Sequence, residues 1–294
     1  MKYFRYRNAQ GDAHLIVQDE TGGLFDLTRD APVEGFTDLV RWARLMGQSV
    51  DGLVGNLLRN GDRRVSSAEL IGQGLQLGRP LVPPEVWAAG VTYRKSRDER
   101  ERESETPDPY AKVYRAERPE IFLKATPARC VGPGEAVGVR GDSGWDVPEA
   151  ELAFILHDGR ITGFTAGNDV SSRSIEGANP LYLPQAKIYR RCCSIGPCIV
   201  SAGSVADPHN LAVSCEIFRD GDRVFSGETS TSRMVRTCEE LAGFLTRHNT
   251  VPDGTVVLTG TGIVPHQEFS LQPGDRVRIE IEDIGILENP VVQV

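Results

Sequence analysis

The sequence has few cysteines and no long hydrophobic run. Its six cysteines include no CxxC pair, which argues against a zinc site and predicts buried thiols in a reducing compartment. No apolar stretch approaches the roughly 20 residues that a membrane-spanning helix needs. The first residues also lack the apolar core of a signal peptide, so we expect a cytoplasmic protein with no membrane partner.

Positive charge is also scarce. Lysine and arginine number 33 against 41 aspartates and glutamates, which gives a net charge of -8 and a pI near 5.3. A nucleic-acid partner is therefore not expected, because phosphate binding needs a basic surface. Hydrophobic residues make up 39% of the 294 residues, enough for a substantial core in one large domain or two smaller ones.

Residues 1–78 are predicted to form a small N-terminal α+β domain. Residues 3–6 and 14–18 alternate like the strands of a hairpin. Residues 37–46 have the apolar spacing of a helix, and residues 50–59 form a weaker helical candidate. The proline-rich stretch that follows, residues 78–84, reads as a linker because two consecutive prolines continue neither a helix nor a central strand.

Residues 79–294 are predicted to form a second, β-rich domain. Asp158-Gly159 and Asp220-Gly221 are hairpin signals. A helix is expected at residues 238–247, with Thr237 as its cap and Glu240 completing a capping box. Many strands and few helices favour an α+β fold built as a sandwich or roll. The predicted strands are 86–91, 121–124, 136–139, 153–156, 164–166, 194–200, 212–218, 223–226, 256–259 and 277–281.

The most informative pattern is Glu149-Ala150-Glu151 at the start of an apolar run, with Asp169 at the end of the next one. Residues i and i+2 of a strand point to the same face, so Glu149 and Glu151 are brought together. Two solvated carboxylates at a strand edge would satisfy this pattern. A hard cation with oxygen ligands would also satisfy it, because it relieves the repulsion and can use Asp169 as a third ligand. The pattern by itself leaves both interpretations open, solvated carboxylates or an open three-carboxylate magnesium site.

A charged segment at residues 94–106 has no apolar stripe. It is typical of a solvated helix or loop. Its place between a strand and the site-bearing region also fits a lid.

Several further motifs occur in order along the second domain. They are the strand-like segment 118–124, the Gly-Pro-Gly turn 132–134, the stretch 167–173 (GNDVSSR), the stretch 179–189 (NPLYLPQAKIY), the loop 259–262 (TGTG) and the tail with Gly274-Asp275, Ile284-Gly285 and Asn289. Together with the two glutamates, this series resembles the fumarylacetoacetate hydrolase family from about residue 83 to residue 294. The resemblance implies a fumarylacetoacetate hydrolase-like mixed β-roll or sandwich for this domain.

The resemblance implies that Glu149, Glu151 and Asp169 bind Mg²⁺, with Mn²⁺ as an alternative. It implies catalytic roles for Lys187, expected in a strand, and for Glu120. We assign to Lys187 the removal of a proton from C3 of the substrate, because burial beside a cation can lower the pKa of the lysine. Glu120 would then assist the loss of a hydroxyl group, and the two roles remain interchangeable.

Other residues receive roles from the same resemblance. Thr261 would contact the substrate carboxylate, and Thr92 and Tyr93 would contact substrate at the start of the lid. Arg173 is expected to be structural or to lie at an interface. The family also implies a homodimer or a higher homo-oligomer.

The reaction class depends on Ser96. Hydrolases of the family carry a water-activating histidine at the matching position, and Ser96 stands in its place. C–C bond hydrolysis needs that base, and dehydration does not. We therefore expect a magnesium-dependent dehydratase that converts a five-carbon 2-keto-3-deoxy sugar acid, a small 2-oxo acid, into 2,5-dioxopentanoate. The alternatives are a hydrolase of acylpyruvates or 2,4-diketo-3-deoxy sugar acids, and a non-catalytic binding protein.

Overall fold

The computed structural model describes residues 1–28, 33–59, 63–103 and 108–294. The strands are β1 Lys2–Arg7, β2 Ala13–Gln18, β3 Leu24–Asp26, β4 Arg64–Val65, β5 Gln76–Leu77, β6 Val86–Gly90, β7 Glu120–Ala125, β8 Cys130–Val131, β9 Val137–Val139, β10 Asp146–Val147, β11 Ala150–His157, β12 Arg160–Asp169, β13 Ser171–Ser172, β14 Cys193–Ser201, β15 Ala212–Arg219, β16 Asp222–Ser230, β17 Thr255–Leu258, β18 Arg276–Ile281 and β19 Gly285–Gln293. The α-helices are α1 Phe36–Leu45, α2 Val50–Arg59, α3 Ser67–Gly72, α4 Arg94–Glu103, α5 Asp108–Arg115, α6 Arg173–Ala178, α7 Leu183–Lys187 and α8 Cys238–Thr246.

The N-terminal strands belong to the large sheet of the protein. The predicted hairpin is formed by β1 and β2, with Tyr3 opposite Val17. The other edge of β1 pairs with β14, where Lys2 lies opposite Val200. Helices α1 and α2 follow the hairpin at the predicted places. The strands of residues 1–78 thus extend the sheet of the following residues, and their separation as a domain stays a prediction.

Two mixed sheets form the body of the molecule. The larger has the order β4-β3-β2-β1-β14-β12-β11-β17-β6-β7, and the smaller has the order β16-β15-β18-β19-β9. Both hairpin signals are confirmed: Asp158-Gly159 joins β11 to β12 and Asp220-Gly221 joins β15 to β16, each with positive φ at both residues. The β-rich α+β prediction is confirmed.

Strand β11 is buried along its whole length. Alternate residues such as Leu152 and Phe154 pack in the core shared with the smaller sheet. Ala153 and Ile155 face the opposite core, which includes residues of α1 and α2. This explains the continuous apolar run after Glu151, because both faces of the strand are covered. The glutamates at its start are consequently held at the edge of a rigid element.

The helices of the second half depart from the prediction. Helix α8 is present, and Thr237 Oγ1 accepts the Glu240 N–H at 3.1 Å. The Glu240 carboxylate accepts a hydrogen bond from Arg236 at 2.6 Å. Helix α4 lies in the charged segment, for which a solvated helix was one of the predicted states. Helices α5 to α7 were not predicted, because they are only five to eight residues long. Helix α7 carries Lys187, so the expectation of a strand there is wrong.

All six cysteines are free and buried, as predicted. No helix in the described ranges is both long enough and apolar enough to cross a membrane.

Candidate metal centre and active site

The antiparallel pair of β11 and β12 brings the three predicted carboxylates together. Ala150 lies opposite Asn168, and the Asp169 N–H donates to the Glu149 carbonyl at 3.0 Å. One carboxylate oxygen from each of Glu149, Glu151 and Asp169 lies within 4.8 Å of the others. The i, i+2 spacing of the glutamates and the register of the hairpin therefore build the cluster.

This cluster is buried and rich in negative charge. Glu149, Glu151 and Asp169 are 6%, 1% and 1% exposed. Burial raises the pKa of Glu151 well above its usual range, and the charges of Asp169 and Glu149 raise it further. Oxygen ligands gathered at this distance fit a hard divalent cation such as Mg²⁺. The two neighbouring carboxylates thus add to the effect of burial, and a bound divalent cation would offset their charge.

The protein's cations clamp two of the carboxylates. Arg173 Nη2 lies 2.7 Å from Glu149 Oε1, and Lys187 Nζ lies 2.9 Å from Glu149 Oε2. Lys124 Nζ lies 2.6 Å from Asp169 Oδ1. Each carboxylate oxygen has a second lone pair, so these contacts orient the ligands and leave them able to bind a metal ion.

Lys187 is buried at the end of α7. Its Nζ donates to Ser171 Oγ at 2.6 Å and lies 3.5 Å from Asp169 Oδ2. Burial alone would lower the pKa of Lys187, but the charges of Asp169 and Glu149 outweigh it and raise the pKa. The lowering of the Lys187 pKa that is expected beside a bound cation stays a prediction.

Lys124 is a site residue that the sequence reasoning missed. Its fully buried Nζ also donates to the Val170 carbonyl at 2.8 Å and to the Lys187 carbonyl at 2.5 Å. All three N–H donors of the Lys124 ammonium group are used. Two of them bind backbone carbonyls of the segments that carry Asp169 and Lys187. A lysine at the end of the apolar segment 121–123 was the available signal, because a buried lysine needs a partner. Arg173, expected to be structural, touches a metal-site carboxylate.

A small cavity of about 20 Å³ lies beside the cluster. It has room for about one water molecule. Glu120, Lys187 and Thr261 all line it, together with Ser96 of α4. The structure therefore brings the predicted catalytic residues to one place, and Ser96 of the charged segment lines the same cavity. Residues 104–106 of that segment lie outside the described residues.

Thr92 and Tyr93 have a different environment. Thr92 Oγ1 donates to the Thr259 carbonyl at 2.6 Å. The Tyr93 ring packs so closely on Gly262 that a Cβ there would lie 2.6 Å from it. Both side chains thus support the glycine-rich loop, whose Gly260 N–H donates to Glu151 Oε2 at 2.5 Å. Their role as substrate contacts stays a prediction.

Gly90 leaves the space that Glu120 occupies, since a Cβ on Gly90 would lie 2.1 Å from Glu120 Oε2. We expect Gly90→Ala to displace this flexible carboxylate and lower kcat by about 10²-fold, the effect of misplacing a catalytic group by about 1 Å. The melting temperature should change little. Gly243→Ala, where no atom lies within 4 Å of the added Cβ, is the control. Equal kcat values for the two variants would contradict this role of Gly90.

Comparisons with known proteins agree with the fold. The fumarylacetoacetate (FAA) hydrolase C-terminal profile matches residues 85–292. The chain belongs to the fumarylacetoacetate hydrolase family, as its motifs predicted.

Individual relatives within the family carry the names of 2-keto-3-deoxy acid dehydratases. A probable 2-keto-3-deoxyxylonate dehydratase of Haloferax volcanii is 54% identical over 271 residues, 92% of each chain. The 2-dehydro-3-deoxy-D-arabinonate dehydratase of Saccharolobus solfataricus is 46% identical over 222 residues, 74% of each chain. A solved structure of 2-keto-3-deoxy-D-arabinonate dehydratase complexed with magnesium and 2,5-dioxopentanoate has a TM-score of 0.83 at 36% identity, covering 100% of this chain and 99% of that one.

Proposed function

We propose that the protein is a magnesium-dependent dehydratase that converts 2-keto-3-deoxy-D-arabinonate into 2,5-dioxopentanoate and water. The observation that carries this proposal is the buried cluster of Glu149, Glu151 and Asp169, with Lys187 and Glu120 beside one cavity. The dehydratase relatives support the reaction class, and the prediction of a metal-dependent dehydratase is confirmed at that level.

The two sugar names among the relatives are chemically compatible. In a 2-keto-3-deoxy acid, C2 is a carbonyl and C3 is a methylene group, so neither carbon is a stereocentre. Arabinonate and xylonate with the same configuration at C4 therefore yield the same 2-keto-3-deoxy acid. This supports a five-carbon substrate and leaves one stereocentre for the site to recognise.

The carboxylates of Glu149, Glu151 and Asp169 would hold the metal ion. A divalent cation bound there supplies Lewis-acid stabilisation to the negative charge that develops on the substrate's 2-oxo group when C3 loses a proton. Arg173 and Lys124 keep the ligands oriented, and the buried surroundings exclude bulk water, which strengthens these electrostatic contacts.

Lys187 and Glu120 carry the proton transfers in this proposal. A divalent cation on the carboxylates would offset the charges of Asp169 and Glu149 and so lower the pKa of Lys187. In that state Lys187 takes a proton from C3, and Glu120 protonates the departing C4 hydroxyl group, so that water leaves and a double bond forms between C3 and C4. The C5 carbon and its hydroxyl group then each lose a proton, while C3 and C4 each gain one, which yields the aldehyde. The opposite assignment uses the same two residues.

The runner-up hydrolase activity would need the water-activating histidine of the family's hydrolases, and Ser96 stands at that position. Ser96 lines the cavity, and a serine hydroxyl is a poor general base at neutral pH. This supports dehydration over hydrolysis.

The proposal is tested by assaying the metal-stripped protein on 2-keto-3-deoxy-D-arabinonate and on an acylpyruvate. We expect no turnover without metal, and aldehyde formation from the sugar acid after Mg²⁺ is added, with Mn²⁺ as a second activating ion. Pyruvate release from the acylpyruvate as the main activity would support the hydrolase. Failure to bind Mg²⁺ at all would support a non-catalytic binding protein.

We also propose a cytoplasmic location and a homo-oligomeric state, at least a dimer. The dehydratase relatives and the family resemblance support these statements. Size-exclusion chromatography with light scattering measures the oligomeric state, and a monomer would refute it. The division of the chain at residue 78 is likewise a proposal.

A further inference from the structure

A second cavity lies at the junction of the N-terminal strands and the smaller sheet. Its volume is about 750 Å³, within the range of small-molecule sites. Its charged lining residues are Arg5, Arg7, Arg79, Arg276, Glu135 and Glu288. Four arginines against two glutamates leave an excess of positive charge in a protein whose net charge is -8.

The two glutamates are already engaged. Glu288 Oε2 accepts from Arg276 Nη1 at 3.0 Å. Glu135 Oε2 accepts the Gly132 N–H at 2.5 Å. Within the described residues, Arg5, Arg7 and Arg79 form no ion pair with a carboxylate, so their positive charge is available to a ligand in this cavity.

Arg5 is the arginine of this cavity on which the effect of the neighbouring positive charges is clearest. Its Nη1 is buried and has no hydrogen-bond partner in the part of the chain that the structure describes. Burial lowers the pKa of Arg5, and the charges of Arg7 and Arg79 lower it further. An anion in the cavity would offset the repulsion among the guanidinium groups of Arg5, Arg7 and Arg79, so the cluster favours an anionic occupant.

One wall of the cavity is built by motifs that the catalytic site does not use. Arg79 belongs to the predicted linker, and its Nη1 donates to the Pro127 carbonyl at 2.8 Å and the Cys130 carbonyl at 2.6 Å. A Cβ on Gly132 would lie 2.5 Å from the Arg79 backbone nitrogen. The first glycine of the Gly-Pro-Gly turn is thus required for the linker to approach and place Arg79.

We propose that this cavity binds a small multivalent oxyanion of the phosphate class, held by Arg5, Arg7 and Arg79. Guanidinium groups match such anions by paired, charge-assisted hydrogen bonds. The cavity is also connected to the metal centre through the large sheet. Arg79 donates to the carbonyl of Cys130. Cys130 is the strand partner of Cys193, and Cys193 is the strand partner of Asp169.

The test uses inorganic pyrophosphate as the probe and isothermal titration calorimetry on metal-stripped, full-length protein. We expect one pyrophosphate per chain and an affinity that falls as salt is added. Arg7→Gln should weaken binding at least about tenfold, the loss of one charge-assisted hydrogen bond. Arg41→Gln, an equal charge change on the exposed face of α1, should leave it unchanged.

Three outcomes would overturn the proposal. The first is an absence of pyrophosphate binding to the wild-type protein, and the second is equal pyrophosphate affinities of the two variants. The third is a loss of self-association in Arg7→Gln, measured by light scattering, without any effect on pyrophosphate binding. That result would make the cavity a contact between copies of the chain. Unchanged melting of Arg7→Gln excludes misfolding as the cause of weaker binding.

Discussion

Lys187→Ala is expected to abolish turnover while Mg²⁺ still binds. General acid–base catalysis contributes about 10²–10⁴-fold, so kcat should fall by that factor. The ammonium group lies 2.9 Å from Glu149 and 3.5 Å from Asp169. Its removal takes one positive charge from the carboxylates, so the affinity for Mg²⁺ should be equal or higher. Steady-state kinetics and a Mg²⁺ titration by calorimetry measure the two effects.

The control for this variant is Lys112→Ala, because Lys112 is exposed on α5 and does not line the cavity. Its kcat should match that of the wild type. Turnover of Lys187→Ala within a few-fold of the wild type would refute the catalytic role. A loss of Mg²⁺ affinity would instead place Lys187 among the residues that organise the metal site.

Glu151→Gln is expected to lose both Mg²⁺ binding and turnover without unfolding the protein. Glutamine has the same shape and can still accept the Gly260 N–H, which now bonds to Glu151 Oε2 at 2.5 Å. It lacks the negative charge that a hard cation requires. Since residues that only orient metal ligands change affinity by 10–100-fold, loss of a ligand should weaken Mg²⁺ binding by more than about 100-fold.

Thermal melting distinguishes this effect from misfolding. Mg²⁺ should raise the melting temperature of the wild type, since a ligand that binds only the folded state stabilises it. The same addition should leave Glu151→Gln unchanged. Without metal, the variant should melt no lower than the wild type, because one of three crowded negative charges is gone. Glu239→Gln, on the exposed surface of α8, should behave like the wild type, and an equal Mg²⁺ shift in both variants would refute the ligand role.

The metal centre was predictable because its geometry is local. The side chains of Glu149 and Glu151 share a face through the period of one strand, and Asp169 ends the strand that pairs with it through an Asp-Gly turn. A hairpin register and a two-residue period therefore suffice to gather the three carboxylates.

The contacts that Lys124 and Lys187 make with the carboxylates were not predictable in the same way. Lys124 lies 2.6 Å from Asp169 although β11, β17 and β6 separate β7 from β12 in the large sheet, so the contact depends on long-range packing that no local pattern encodes. Lys187 lies on a five-residue helix without an apolar period, so no local pattern predicted this helix. The pairing of Lys2 with Val200 joins residues 198 positions apart along the chain, and only long-range packing determines it.

The most direct test of dehydration follows the carbon chain of the substrate. 2-Keto-3-deoxy-D-arabinonate labelled with ¹³C is incubated with the Mg²⁺-loaded protein in D₂O, and the product is identified by NMR. We predict a single five-carbon product, 2,5-dioxopentanoate, with deuterium from the solvent at C3 and C4. Release of labelled pyruvate with a two-carbon fragment would contradict dehydration and show that the enzyme breaks a C–C bond.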